Sequence, residues 1–103
     1  MTRRLDDEEI TRQLADLPAW RREGETIRAT FEAPAFLAGV RLVDEVAALA
    51  EAMNHHPDID IRWTRVTFVL STHSAGGLTQ LDIELAHQIT GEAERAGARP
   101  QVG

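Results

Sequence analysis

Cysteine is absent from this chain of 103 residues, and so is lysine. Without thiols there can be no disulfide framework, no thiolate zinc site and no cysteine nucleophile. Stability must come from packing or self-association, and any catalysis must use His, carboxylate, Ser or Thr. The 11 basic residues are all arginine, which carries no mechanistic reading. The net charge of −6 argues against a surface that tracks phosphates, because nucleic-acid affinity rests on Lys and Arg neutralising the backbone. Direct nucleic-acid binding is therefore not expected. Long apolar runs are missing too. No segment approaches a membrane span, the stretch from Met1 to Glu9 lacks the apolar centre of a signal peptide, and cytoplasmic residence is the expectation. A chain of this length buries one core, so residues 1–103 read as a single domain.

What is present is a succession of apolar periodicities. From about Asp6, Ile10, Leu14 and Leu17 recur at helical spacing behind an acidic first turn, and Pro18 ends this first helix. Trp20 to Arg22 and Thr26 to Phe31, joined by Glu23-Gly24-Glu25, read as a hairpin with Ile27, Ala29 and Phe31 on one face. After Pro34 a long helix carries the stripe Phe36, Val40, Val43, Ala47 and Ala50, widened by Leu37, Val46 and Met53. It must stop near His55, since Pro57 pushes His56 towards an extended conformation. Ile59, Ile61 and Trp63 then alternate with polar residues, as do Val66, Phe68 and Leu70, which predicts two more strands. Gly76-Gly77 permits a tight turn. Thr79 to Asp82 resembles a capping box, and a third helix follows with Ile83, Leu85, Ala86, Ile89 and Ala93 inward. Residues 98–103 are expected to fray.

The order α-β-β-α-β-β-α predicts an α+β, two-layer domain with a four-stranded antiparallel sheet and three helices on one face. The uncovered face and exposed strand edges then call for a partner, most simply further copies of the chain.

Three of the four histidines, His55, His56 and His73, fall at a helix exit and at a strand-to-helix turn, the places where a short domain most easily builds a pocket. Imidazole exchanges protons near neutrality, so converging histidines suit a reaction whose hard step is proton transfer. Glu51 stands one turn before His55, where a carboxylate can hold it, and Asp82 could do the same from the third helix. Plainer readings exist for each. His55-His56-Pro57 also makes a polar helix stop, Asp82 is accounted for by its cap, Trp63 is by default a core aromatic, and His87 reads as a surface residue. Metal-ligand spacings are absent, and Ser71 or Ser74 has no nucleophile elbow around it.

The spaced set Glu51, His55-His56-Pro57, Trp63, His73 and Asp82 resembles that of the pterin-4a-carbinolamine dehydratases. Looser likeness extends through Leu17-Pro18, Trp20, Phe36 and Val40, and Leu70 to His73 with Gly76 to Thr79. The resemblance implies dehydration of a 4a-hydroxytetrahydropterin to the quinonoid dihydropterin, with no metal or redox cofactor, in recycling of the pterin used by an aromatic amino acid hydroxylase. It implies catalytic roles for His55, His56 and His73, with His55 and His73 as acid and base and His56 binding the pterin. Glu51, Trp63, Asp82, Ser71 and Thr72 would orient groups or bind substrate. A homodimer or homotetramer is expected. Asn54 and Ala75 depart from the animal pattern, where an acidic residue and a cysteine are common. Resembling proteins also include a dimerisation coactivator and carboxylase assembly factors, so a non-enzymatic binding module is the alternative, and a pterin binder without turnover a third reading.

Overall fold

In the computed structural model, which describes residues 2–101, the first helix begins where its acidic turn predicts. The Asp6 side chain accepts from the Glu9 amide at 2.8 Å and the Glu9 carboxylate accepts from the Asp6 amide at 2.9 Å, closing a capping box ahead of α1 (Asp7–Leu14). The helix stops before Pro18, and turn hydrogen bonds carry the chain to the buried Leu17. β1 (Arg21–Glu23) and β2 (Thr26–Glu32) form the expected hairpin, reversed at Gly24 with φ 61°. Ile27, Ala29 and Phe31 face the core.

α2 (Phe36–Met53) has the expected span but a different phase. Its buried positions are Gly39, Leu42, Val46 and Ala50, whereas Phe36, Leu37 and Val40 are 48 %, 61 % and 38 % exposed. The cause is a close approach: a Cβ on Gly39 would lie 3.2 Å from Val66 Cγ2 and 3.6 Å from Ala33 Cβ. The residue with no side chain thus seats the helix on the sheet, and a stripe search for large apolar residues passes over it.

β3 (Asp58–Arg62) and β4 (Arg65–Leu70) pair antiparallel, and Val66, Phe68 and Leu70 are buried. β3 is an edge strand, so Ile59 and Ile61 point to the core side but stay partly exposed. Trp63 is a correction to the sequence reading. It lies in the two-residue turn of this hairpin with φ 53° and is 80 % exposed, outside the strand alternation that would have buried it.

α3 (Gln80–Arg95) packs on α2 and on the sheet through Ile83, Leu85, Ala86, Ile89 and Ala93. The Trp20 indole donates to Thr90 Oγ1 at 2.9 Å and meets Phe31 edge-on, which ties the first hairpin to this helix. The tail is a second correction. Gly97, at φ 74°, reverses the chain, Ala98 is buried, and β5 (Arg99–Gln101) pairs with Thr30 to Glu32. β1 leaves that part of the β2 edge free, so unpaired backbone groups were available to a tail with little side chain to bury. Val102 and Gly103 lie outside the described residues.

The fold is the expected α+β two-layer arrangement, with strand order β1-β2-β4-β3 and β5 added to the β2 edge. Its uncovered face is polar rather than sticky. Arg28, Thr30 and Glu32 of β2 lie beside Val69, Thr67 and Arg65 of β4, and Thr30 and Thr67 share a 2.7 Å hydrogen bond. Exposed apolar side chains sit instead on α2 and along the β3 hairpin. Among the described residues no helix is long and apolar enough to cross a membrane.

The α1 cap makes a pH-dependent contribution. The Arg3 guanidinium, and after it the Asp6 amide, hold the Glu9 carboxyl down at about 2 from an ordinary 4.5. A depressed carboxyl stabilises the fold above its unfolded pKa, and that contribution fades as the pH falls from about 4.5 towards 2. NMR titration of the Glu9 side chain should give a midpoint near 2, and Arg3→Gln should return it towards the ordinary carboxylate range.

Candidate active site

The end of α2 decides where the first two histidines go. Asn54 takes the left-handed conformation (φ 51°, ψ 44°), and the His55 amide donates back to Ala50 O at 3.0 Å. That reversal takes His55 off the helix face and into the protein, so Glu51 is not its partner. The β3–β4 pairing ends at Asp58↔Val69, with His55 and His56 shortly before it and Ser71 and Thr72 shortly after it. Because strand side chains alternate, His55 and Thr72 face inward while His56 and Ser71 face the open side of the sheet.

His55 is only 8 % exposed, and its Nε2 lies 2.6 Å from Oδ1 of the fully buried Asp82. Asp82 Oδ2 accepts from the Thr72 hydroxyl at 2.7 Å and from the Thr79 amide at 2.9 Å. Thr72 and Thr79 hydroxyls are 2.8 Å apart, and the Leu81 amide donates to Thr79 Oγ1 at 3.3 Å. Since Thr72 gives its proton to the carboxylate, it accepts from Thr79, and the bonds run in one direction into Asp82. An ionised carboxylate is an acceptor only, so the proton between the pair belongs to His55 Nε2. In the neutral ring Nδ1 then carries a lone pair, and among the described residues it bonds to no side chain. The Asp82 cap and the Asp82–His55 contact are therefore one structure: Oδ2 caps the helix while Oδ1 holds the imidazole.

His56 is exposed, and its Nε2 lies 2.5 Å from Glu51 Oε2 in a solvent-facing pair. His73 opens a 3₁₀ turn, His73–Ala75, within a loop pinched shut where the Thr72 amide donates to Gly77 O at 3.0 Å. His56 and His73 line a pocket of about 80 Å³ together with Thr26, Asp58, Val69 and Ser71. Ligand pockets commonly enclose ~300 Å³ or more, so within one chain this one can hold only an edge of a bicyclic molecule.

The expected site residues thus divide. His56, His73 and Ser71 meet at the pocket, while His55, Asp82 and Thr72 form the buried group beside it. Glu51 contacts His56 instead of His55. Trp63 does not join them, because the whole of β3 separates it from His56. Thr26 and Asp58 were missed. Asp58 could have been found, since it opens β3 only two residues after His56, whereas Thr26 arrives through the pairing of β2 with β4. Among the described residues no group of three or more His, Asp or Glu side chains is arranged to hold a metal ion.

Residues 3–91 match the model of a family described as pterin 4 alpha carbinolamine dehydratase. A Nocardia farcinica protein provisionally named pterin-4-alpha-carbinolamine dehydratase is 59 % identical over 88 residues, covering 85 % of this chain and 93 % of that one. A Roseiflexus protein with the same provisional name is 56 % identical over 89 residues, covering 86 % and 96 %. Among solved structures, a transcriptional coactivator/pterin dehydratase from Brucella melitensis superposes with a TM-score of 0.84 at 32 % identity, covering 87 % of this chain and 98 % of that one. A pterin dehydratase-like RuBisCO assembly factor of the alpha-carboxysome gives 0.63 at 23 % identity, covering 73 % and 89 %, a likeness of fold alone.

Removing the buried acceptor should be costly. Asp82→Ala leaves the Thr72 hydroxyl, the Thr79 amide and His55 Nε2 without their partner, and denaturant unfolding should show a loss of about 3–5 kcal/mol. Glu51→Gln, in an exposed pair, should leave the midpoint essentially where it is.

Proposed function

The chain belongs to the pterin 4 alpha carbinolamine dehydratase family, and from that premise we propose that it converts a 4a-hydroxytetrahydropterin to the quinonoid dihydropterin and water. The observation that carries this reading is the pocket between His56 and His73, backed by the buried His55–Asp82 pair. The substrate carbon bears both the hydroxyl and a ring nitrogen. As the C–O bond breaks, the nitrogen lone pair forms the C=N bond. An acid gives the departing oxygen a proton, a base takes the ring N–H proton, and the balance is one water lost. No electron transfer is involved, so the chemistry needs no redox cofactor and no metal.

His55 and His73 carry the two proton transfers in this reading. Asp82 engages His55 Nε2 and leaves Nδ1 without a side-chain partner among the described residues, and His73 has no side-chain hydrogen bond to a described residue that would hold back its ring. His56, steadied by Glu51, binds the pterin, while Asp58 and the Thr26 and Ser71 hydroxyls offer acceptors and donors to its polar edge. Each well-placed acid or base is typically worth about 10² to 10⁴ in rate. The pterin is that of an aromatic amino acid hydroxylase cycle, and the setting is the cytoplasm. Self-association into a dimer or tetramer belongs to the same proposal, supported by the open β3 edge and by exposed Phe36, Leu37 and Val40.

A second reading, a protein-binding module, is favoured by that same exposed apolar surface and by the coactivator description of the Brucella protein. A dehydration assay separates the two. With carbinolamine supplied by a coupled hydroxylase, wild type should exceed the buffer rate, and His55→Ala with His73→Ala should lose at least about 10²-fold. A wild-type rate equal to buffer would end the dehydratase reading. Sedimentation should show a species of two or four chain masses, and a monomer at micromolar concentration would remove the self-association proposal.

A further inference from the structure

The loop that carries His73 has little internal structure to hold it. Between β4 and α3 it contains one 3₁₀ turn of three residues and is closed at its neck by the paired backbones of Thr72 and Gly77. Its neck is held by the bonds of Thr72 to Asp82 and Thr79, and the rest of the loop is held from outside. Two distant segments supply contacts. The N-terminal segment pairs with the far side of the loop, where the Leu5 amide donates to Leu78 O at 2.8 Å and Arg4 bridges to Thr79. The β1–β2 turn meets the near side, where Glu25 O accepts from the Ser71 hydroxyl at 2.8 Å.

These two segments are joined to each other across the loop by an ion pair between the Arg4 guanidinium and Glu25 Oε2. The other oxygen of Glu25 accepts from Arg22 at 3.2 Å, and Arg22 is anchored to Asp7 at 2.8 Å and to Gly24 O at 2.8 Å. An isolated exposed ion pair contributes little, but a carboxylate shared by two guanidiniums forms a network. The pair also lies directly over the neck. A Cβ on Gly77 would come within 2.6 Å of Glu25 Oε2 and 2.7 Å of Arg4 Nε. Among the described residues the positive-φ glycines are Gly24, Gly76 and Gly97, so a side chain at position 77 would contest the room taken by this pair and not the backbone conformation.

We propose that the Arg4–Glu25 pair, laid over Gly77, clamps the His73 loop in place, and that Arg4 and Glu25 are positioning residues for the pocket. Glu25 is adjacent in sequence to Thr26, which lines that pocket, so the clamp spans the pocket's two walls. Its catalytic consequence rests on the dehydratase reading; its mechanical content does not.

Gly77→Ala is the sharpest test, because the atoms nearest the added methyl belong to the flexible side chains of Glu25 and Arg4, which it displaces, and not to the backbone. Amide hydrogen exchange at Thr72 and Gly77 would be followed by NMR in wild type, Gly77→Ala, Glu25→Gln, Arg4→Gln and Arg4→Lys, with thermal midpoints alongside. The expected result is exchange about tenfold faster in the first three variants, near wild-type exchange in Arg4→Lys, and similar midpoints throughout. In the dehydration assay kcat should fall about tenfold to a hundredfold with KM little changed, as a small misplacement of a catalytic group produces. Unchanged exchange in both Gly77→Ala and Glu25→Gln would overturn the clamp. Faster exchange with undiminished kcat would overturn its positioning role. Wild-type protein without dehydratase activity would remove the functional reading, and exchange would still decide the clamp.

Discussion

A single buried carboxylate, that of Asp82, joins the helical layer of this protein to its chemistry. No arginine reaches it among the described residues. Its charge is met by the His55 ring, the Thr72 hydroxyl and the Thr79 amide, at the N-terminus of α3, where the helix dipole favours a negative group. Charge-assisted bonds of this kind are worth about 1.5–3 kcal/mol each, and leaving any one donor unpaired in the interior costs a comparable amount. Three parts of the chain must therefore arrive together for the core to close: the end of α2, the exit of β4 and the start of α3.

The division of labour among the histidines follows from that closure. His55 is committed to Asp82 through Nε2, so Nδ1 is the ring nitrogen left without a side-chain partner among the described residues. His56, the next residue, has the opposite orientation for the same reason that side chains alternate along an extended chain, and it faces the pocket with His73. Two adjacent imidazoles in sequence thus hold different environments, one dry and fixed, the other wet and paired with an exposed Glu51. The His73 loop carries the third imidazole and depends on contacts from the N-terminal segment and the β1–β2 turn.

Much of the fold was legible because periodicity reports which face of an element is covered. The strands at Ile27 to Phe31 and Val66 to Leu70, the acidic start of α1, the α3 cap and the end of α2 ahead of Pro57 all rest on interactions within a few residues. The misreadings share a cause. The phase of α2 depends on Val66 meeting a glycine, the exposure of Trp63 on which side of a two-residue turn it falls, and the order of the tail on an unoccupied stretch of β2 edge. The first and the last are settled by a neighbour distant in sequence, and Trp63 by the backbone of the turn itself. Pairing Glu51 with His55 assumed the helix continues for one more residue, and Asn54 ends it.

By itself the sequence determined the element order, the α+β class, the absence of thiol chemistry and the concentration of proton-transfer groups at two element boundaries, since all of these depend on residue type and local spacing. Only the tertiary structure decided which histidine is buried, which carboxylate it meets and which residues line the pocket. Those outcomes are set by the register of β3 on β4 and by the docking of α3 against the loop that carries His73. Strand register joins residues that no local pattern connects, and a shift of one position would exchange His55 and His56 between the dry side of the sheet and the wet one.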